Sequence, residues 1–292
     1  MIKILTAILL ILNPVVGFLN YSAEKKENPL AEDIINNVIN LEESLPQLPL
    51  SADIFLASGK LPFFWPDRNF NIPEPAIEAK TALIYDTYYQ SFLFQKNDIS
   101  EPRPIASLTK LMTSLVVLDK VSPEKIFQVS RQAVETYGEM GKLNVGESIS
   151  VKNLLAALLI ESSNDAAIAL AENIDPNFVS LMNEKAQKLG LKNSHFADPS
   201  GLDPKNVSSA QDMIKIMEEV LKYPLLQEIM QSPVWEFYST DGAFFHRLIN
   251  TNKLLGQIPE IVAGKTGYTE EAGNCMIIAA KSPNRQGFII SI

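Results

Sequence analysis

The 292 residues are enough for one sizeable two-part domain with an extension. A net charge of −9 argues against nucleic acid as a partner, because phosphate contacts need a basic face. The lone Cys275 rules out an internal disulfide, and His195 and His246 have no metal-ligand neighbours at useful spacing, so neither a metal nor another cofactor is expected.

At the start, Lys3 precedes an apolar run over residues 4–19, interrupted by Asn13 and Pro14. Residues 1–23 read as a secretory signal or a signal anchor. The run is short for a spanning helix. Tyr21 stands where a cleavage site near Ala23 prefers a small residue, so removal and membrane anchoring both stay open. Glu24-Lys25-Lys26-Glu27 marks the exit from this leader. Residues 24–75, rich in Pro, Asn and acidic side chains, read as a spacer that holds the enzyme away from the membrane. Within it, 33–41 has helical spacing, and 54–65 is apolar enough to pack on the domain that follows.

Residues 82–87 and 90–95 are expected to form a hairpin around Tyr88-Tyr89. Pro102 and Pro104 hold the next stretch extended. A helix is expected over 108–118, with Leu108, Leu111, Met112, Leu115, Val116 and Leu118 as its apolar stripe. Ser107 and Lys110 are three apart and can touch on one face of its first turn. The positive helix end favours a developing alkoxide and disfavours an ammonium. Burial would lower the lysine pKa from its free value of about 10.4, and a second cation such as Lys265 would push the same way. A neutral Lys110 could then activate the Ser107 hydroxyl, a poor nucleophile without a base. Alone, this pattern is far more often a helix cap beside a solvated lysine.

Helices are expected over 151–160, 165–171, 178–189 and 210–221. Between the first two lies Ser162-Ser163-Asn164-Asp165, where Ser162 or Ser163 would cap the following helix. Strands are expected over 234–238, 244–249, 261–265, 276–280 and 288–292. Lys265-Thr266-Gly267 departs from a phosphate loop, because Pro259 stands where that loop needs glycine. It reads instead as an edge strand whose Gly267 lets a ligand backbone approach. Cys275 reads as a small core residue, and Asn206-Val207-Ser208 as a chance sequon in a loop. No Gly-x-Ser-x-Gly elbow is present, which removes the α/β-hydrolase route. Strands at both ends and helices between them imply an α/β fold, an antiparallel sheet packed with a helical lobe, with the site where they meet.

The ordered set Ser107-Lys110, Ser162-Asn164 and Lys265-Gly267 resembles the penicillin-binding proteins and serine β-lactamases. The surroundings narrow the likeness. Residues 104–113, 161–167, 193–203 and 250–255 are similar to the low-molecular-mass D-alanyl-D-alanine carboxypeptidases, over a catalytic domain of residues 76–292. This resemblance implies a DD-peptidase/β-lactamase-like fold. It also implies Ser107 as nucleophile on a peptidoglycan stem peptide ending in D-Ala-D-Ala, Lys110 as base, and Ser162 and Asn164 assisting. Lys265 and Thr266 would bind the terminal carboxylate. Gly267 would adjoin an oxyanion hole formed by the N–H groups of Ser107 and Tyr268. β-Lactams would be covalent inhibitors, and the location extracytoplasmic.

Two departures are visible. Gln211 stands where the family often has arginine, and family members continue past 287–292 into a further strand and a helix, so a C-terminal truncation is expected. A D,D-endopeptidase, a β-lactamase and an inactive wall-binding homologue are the competing functions. The β-lactamase is weakened by the absence of Glu-x-x-Leu-Asn between Asn164 and Lys265.

Overall fold

Apolar, β-branched segments from the two ends of the domain meet in one sheet. The computed structural model describes residues 71–136, 142–282 and 287–292, all within the compact unit Trp65–Ile292. The proposed leader, and the spacer up to residue 70, lie outside the described residues.

The strands are β1 (Ala82–Asp86), β2 (Ser91–Lys96), β3 (Arg103–Pro104), β4 (Ile126–Gln128), β5 (Ser148–Ser150), β6 (Val207–Ser208), β7 (Val234–Tyr238), β8 (Phe245–Ile249), β9 (Ile261–Thr269), β10 (Gly273–Lys281) and β11 (Phe288–Ser291). The helices are α1 (Thr109–Lys120), α2 (Arg131–Val134), α3 (Val151–Ala156), α4 (Asn164–Ile174), α5 (Phe178–Lys188), α6 (Ala210–Val220) and α7 (Pro224–Gln231). A five-stranded antiparallel sheet runs β2-β1-β11-β10-β9, and β9 is an edge. The pairs β3–β6, β4–β5 and β7–β8 stand apart from it.

The expected antiparallel sheet with a helical lobe is what forms, with corrections in detail. β9 and β10 run longer than 261–265 and 276–280, because their ladder continues through Gly267 to Gly273↔Thr269. Intrinsic strand preference gives no sign of this, since glycine is a poor strand former. Residues 234–238 and 245–249 pair only with each other among the described strands. The expected helix over 151–160 is α-helical only to Ala156, then widens into a π turn over Ala157–Glu161. Such turns concentrate at functional sites. Helix α7, which starts on Pro224 at a position proline favours, was not anticipated, nor was the β4–β5 ribbon.

The core centres on α1. Every residue from Thr109 to Val117 is buried, polar ones included. A helix buried nearly all round belongs in a protein interior, and α4, α5 and α6 pack against this one. Helix α6 also meets β1, and α7 meets β9. The contacts of α6 with β1 and of α7 with β9 therefore join the helical layer to the sheet. Among the described residues, no helix is long and apolar enough to cross a membrane.

Leu115 is fully buried in this core. Leu115→Ala is expected to lower unfolding stability by about 2–5 kcal/mol in urea melts, with cooperativity kept.

Candidate active site

The segment before α1 is fixed from three directions. Its short strand β3 pairs with β6, and Ile105 N–H donates to the Asn206 carbonyl (3.1 Å). A 3-10 turn over Ala106–Leu108 then carries Ser107 into α1. Ala106 has φ +46°, uncommon for a residue with a side chain. Two glycines hold it there. A Cβ on Gly201 (φ +89°) would fall 2.0 Å from the Ala106 carbonyl oxygen, and one on Gly267 would fall 2.9 Å from Ser107 N. Gly267 was expected to admit a ligand's backbone. What it admits at that distance is the chain's own turn at Ser107.

Lys110 is fully buried in the first turn of α1. Its Nζ lies 2.9 Å from Ser107 Oγ, 2.8 Å from Asn164 Oδ1 and 2.6 Å from the Ser200 carbonyl oxygen. Burial pushes its pKa down to about 7, against the opposing pull of the Asp198 carboxylate.

The π turn delivers the second motif. It ends on Ser162 in the left-handed region (φ +67°). Ser162 and the two residues after it then do different jobs. Ser162 Oγ accepts from Lys265 Nζ at 2.8 Å. Ser163 Oγ caps α4 by accepting from Ala166 N–H (3.0 Å). Asn164, the first residue of α4, reaches Lys110. The capping role belongs to Ser163, which leaves Ser162 for the site.

On the edge strand β9, Lys265 is buried, and its Nζ also donates to the Thr266 carbonyl (2.7 Å). Burial, then repulsion from Lys110, holds its pKa well below the usual lysine range. Thr266 Oγ1 lies 2.8 Å from Thr251 Oγ1. The Tyr268 side chain is exposed. Six of the eight expected residues thus fall into two hydrogen-bonded groups, Ser107 and Asn164 around Lys110 and Ser162 and Thr266 around Lys265. Gly267 lies against Ser107, with Tyr268 next in the chain. Gln211 is on the surface of α6, its N–H donating to the Ile99 carbonyl (3.0 Å).

Sequence reasoning gave no site role to Ser200, Asp198, Gly201 or Thr251. The Pro199-Ser200-Gly201 step is a turn signal, but a main-chain carbonyl serving as lysine acceptor leaves no side-chain signature.

A serine and a lysine set this way, between an antiparallel sheet and a helical lobe, define the DD-peptidase/β-lactamase-like class. The model of the D-alanyl-D-alanine carboxypeptidase family matches residues 68–291, and the chain belongs to that family. It is 36% identical over 229 residues to the D-alanyl-D-alanine carboxypeptidase DacF of Bacillus subtilis, covering 74% of this chain and 58% of that relative. It is 35% identical over 209 residues to a D-alanyl-D-alanine endopeptidase of Pseudomonas aeruginosa, covering 69% of this chain and 67% of the relative. A crystal structure of a D-alanyl-D-alanine carboxypeptidase from Mycobacterium tuberculosis superposes with TM-score 0.70 and 29% identity, over 76% of this chain and 84% of that one.

Burying the Lys110 amine costs the fold roughly 4–5 kcal/mol at neutral pH. The folded pKa is below the unfolded one, so the penalty is full below about pH 7. It fades as pH rises toward the unfolded value of about 10.4. Urea melts of the protein and of Lys110→Met should therefore shift in favour of the unmutated protein by roughly 3–4 kcal/mol between about pH 7 and pH 10. A pH-independent difference would contradict a depressed pKa.

Proposed function

We propose that this chain is an exported serine D-Ala-D-Ala carboxypeptidase that removes the terminal D-alanine from peptidoglycan stem peptides. The observation that carries this reading is the set of partners around Lys110. A neutral amine has two N–H donors and one lone pair. The Asn164 amide oxygen and the Ser200 carbonyl can only accept, so they take the two N–H groups. The lone pair is left for Ser107 Oγ at 2.9 Å, the one partner of the three with a proton to give. With a pKa near 7, a substantial fraction of the amine is neutral at physiological pH.

In this reading Ser107 Oγ attacks the carbonyl between the two D-alanines and its proton passes to Lys110. The oxyanion sits between the N–H groups of Ser107 and Tyr268. The contact of Gly267 with Ser107 N supports this, because it brings the adjoining Tyr268 backbone alongside the nucleophile. Collapse of the intermediate breaks the C–N bond. The departing D-alanine amine takes a proton through Ser162, which the Lys265 bond keeps oriented. Water then hydrolyses the acyl-enzyme. Asn164 steadies Lys110 and binds the substrate backbone. Thr266 and Lys265 hold the terminal carboxylate, whose negative charge favours the ammonium form of the buried Lys265. A β-lactam presents the same acyl group and carboxylate, and would be held on Ser107.

The substrate lies outside the cytoplasm, so the apolar start of the chain is read as an export signal, and as a membrane contact where it is retained. Substrate preference within the family is open to direct measurement, since one similar protein is an endopeptidase.

Fluorescent penicillin should label the Ser107 peptide. Ser107→Ala should abolish labelling with an unchanged melting curve, and Lys110→Ala should lower the labelling rate by about 10²-fold or more. D-Alanine should be released from a pentapeptide faster than a cross-linked dimer is cut. Full labelling of Lys110→Ala would remove the lysine from the mechanism, and preference for the dimer would make the chain an endopeptidase.

A further inference from the structure

The loop between α5 and α6 contributes no side chain to the two hydrogen-bonded groups of the site, yet its main chain touches Lys110 and packs against the Ser107 turn. The cause is one carboxylate. Asp198 Oδ1 accepts from Ser200 N–H (2.6 Å), Ser200 Oγ (2.6 Å) and Gly201 N–H (2.7 Å). Asp198 Oδ2 accepts from Asp203 N–H (2.6 Å) and Asn206 Nδ2 (2.7 Å). Five donors converge on one side chain and wind residues 198–203 into a single closed turn. That turn points three groups at the start of α1. The Ser200 carbonyl accepts from Lys110, the Pro199 carbonyl accepts from Thr113 Oγ1 (2.7 Å), and Gly201 lies under the Ala106 carbonyl.

We propose that Asp198 is a positioning residue for the Ser107–Lys110 pair, aiming the Ser200 carbonyl at the amine and placing a fixed negative charge behind it. The inference rests on the reading of Lys110 as the base.

The surrounding charges make Asp198 the distinctive one. From β9, Lys265 presents a second buried amine, which repels. From α4, Asp165 follows Asn164 but accepts from Leu143 N–H, and burial raises it to about 6. On the π turn, Glu161 is raised by burial, and the opposing influence on it comes from His246. From α5, Lys185 pairs with Asp119 at the far end of α1 and with Glu219. From α6, Asp212 accepts from Asn193 N–H and Ser194 Oγ. Among the described residues, Asp198 alone is both anionic and felt at Lys110. Burial pushes its carboxyl up, but the bonds from Ser200, Asp203 and Gly201 outweigh that and hold it below the usual carboxylate range.

The sign follows. An anion favours the ammonium, so it opposes the downward push of burial on Lys110. Without it, the amine stays neutral to lower pH.

The test is the rate of Ser107 acylation by fluorescent penicillin, followed from about pH 5 to about pH 9 on the full chain. The unmutated protein should show an acid limb centred near 7. In Asp198→Asn and Asp198→Ser, the limb should move to lower pH by about half a unit or more, roughly threefold in neutral amine on the acid side. In Asn206→Ala, which loosens the turn but keeps the charge, the midpoint should stay. A midpoint unmoved in both neutral variants, with only the plateau lowered, would make Asp198 merely structural and overturn the proposal, as would failure of both to fold. An unmutated protein with no acid limb would sink the base assignment itself, a separate and recognisable failure.

Discussion

The structure is organised around a lysine amine kept dry beside a serine hydroxyl. An ammonium is hydrated strongly, and a protein interior returns little of that energy unless counter-charges surround it. The site buries two amines, Lys110 and Lys265, and the anion felt at Lys110 is Asp198. Desolvation therefore wins, and the cost falls on stability. The extensive apolar packing around α1 is what offsets it.

Rigidity does the rest. A base must be within hydrogen-bond reach of the proton it takes, and a loose lysine would turn toward water. The Lys110 amine is pinned by acceptors from two elements, the side chain of Asn164 on α4 and the main chain at Ser200. Each of these rests on a local device. Asn164 follows a π turn and a left-handed Ser162, while Ser200 sits in the turn closed by Asp198. The Ser107 turn, with Ala106 at positive φ, is wedged between Gly201 and Gly267. Uncommon backbone conformations of this kind persist where the surroundings over-determine them, and they gather at functional sites.

Much of this was legible in the sequence, and the limit has a physical cause. Side-chain spacing carried the Ser107–Lys110 pair, the Ser162–Asn164 pair and the edge strand with Lys265, because period and residue type survive in one dimension. The helix over 108–118 and the strands over 234–238 and 288–292 were readable from apolar pattern alone. What stayed hidden was main-chain chemistry. The Ser200 carbonyl, the π turn after Ala156 and the close approach of Gly267 to Ser107 N depend on long-range packing. Ser162 and Ser163 are interchangeable as caps in the sequence, and only the left-handed turn at Ser162 separates them. The β9–β10 ladder ran past its expected ends because pairing with a neighbour overrides the weak strand preference of glycine.

The charge state of one side chain decides most directly between this account and an ordinary charged lysine. Label the lysine side chains with 13C and 15N, assign the Lys110 resonance by its loss in Lys110→Met, and titrate the folded protein by NMR. A midpoint near 7 is the expected result. A midpoint close to the free-lysine value of about 10.4 would mean the amine stays protonated in the resting site and cannot take the serine's proton.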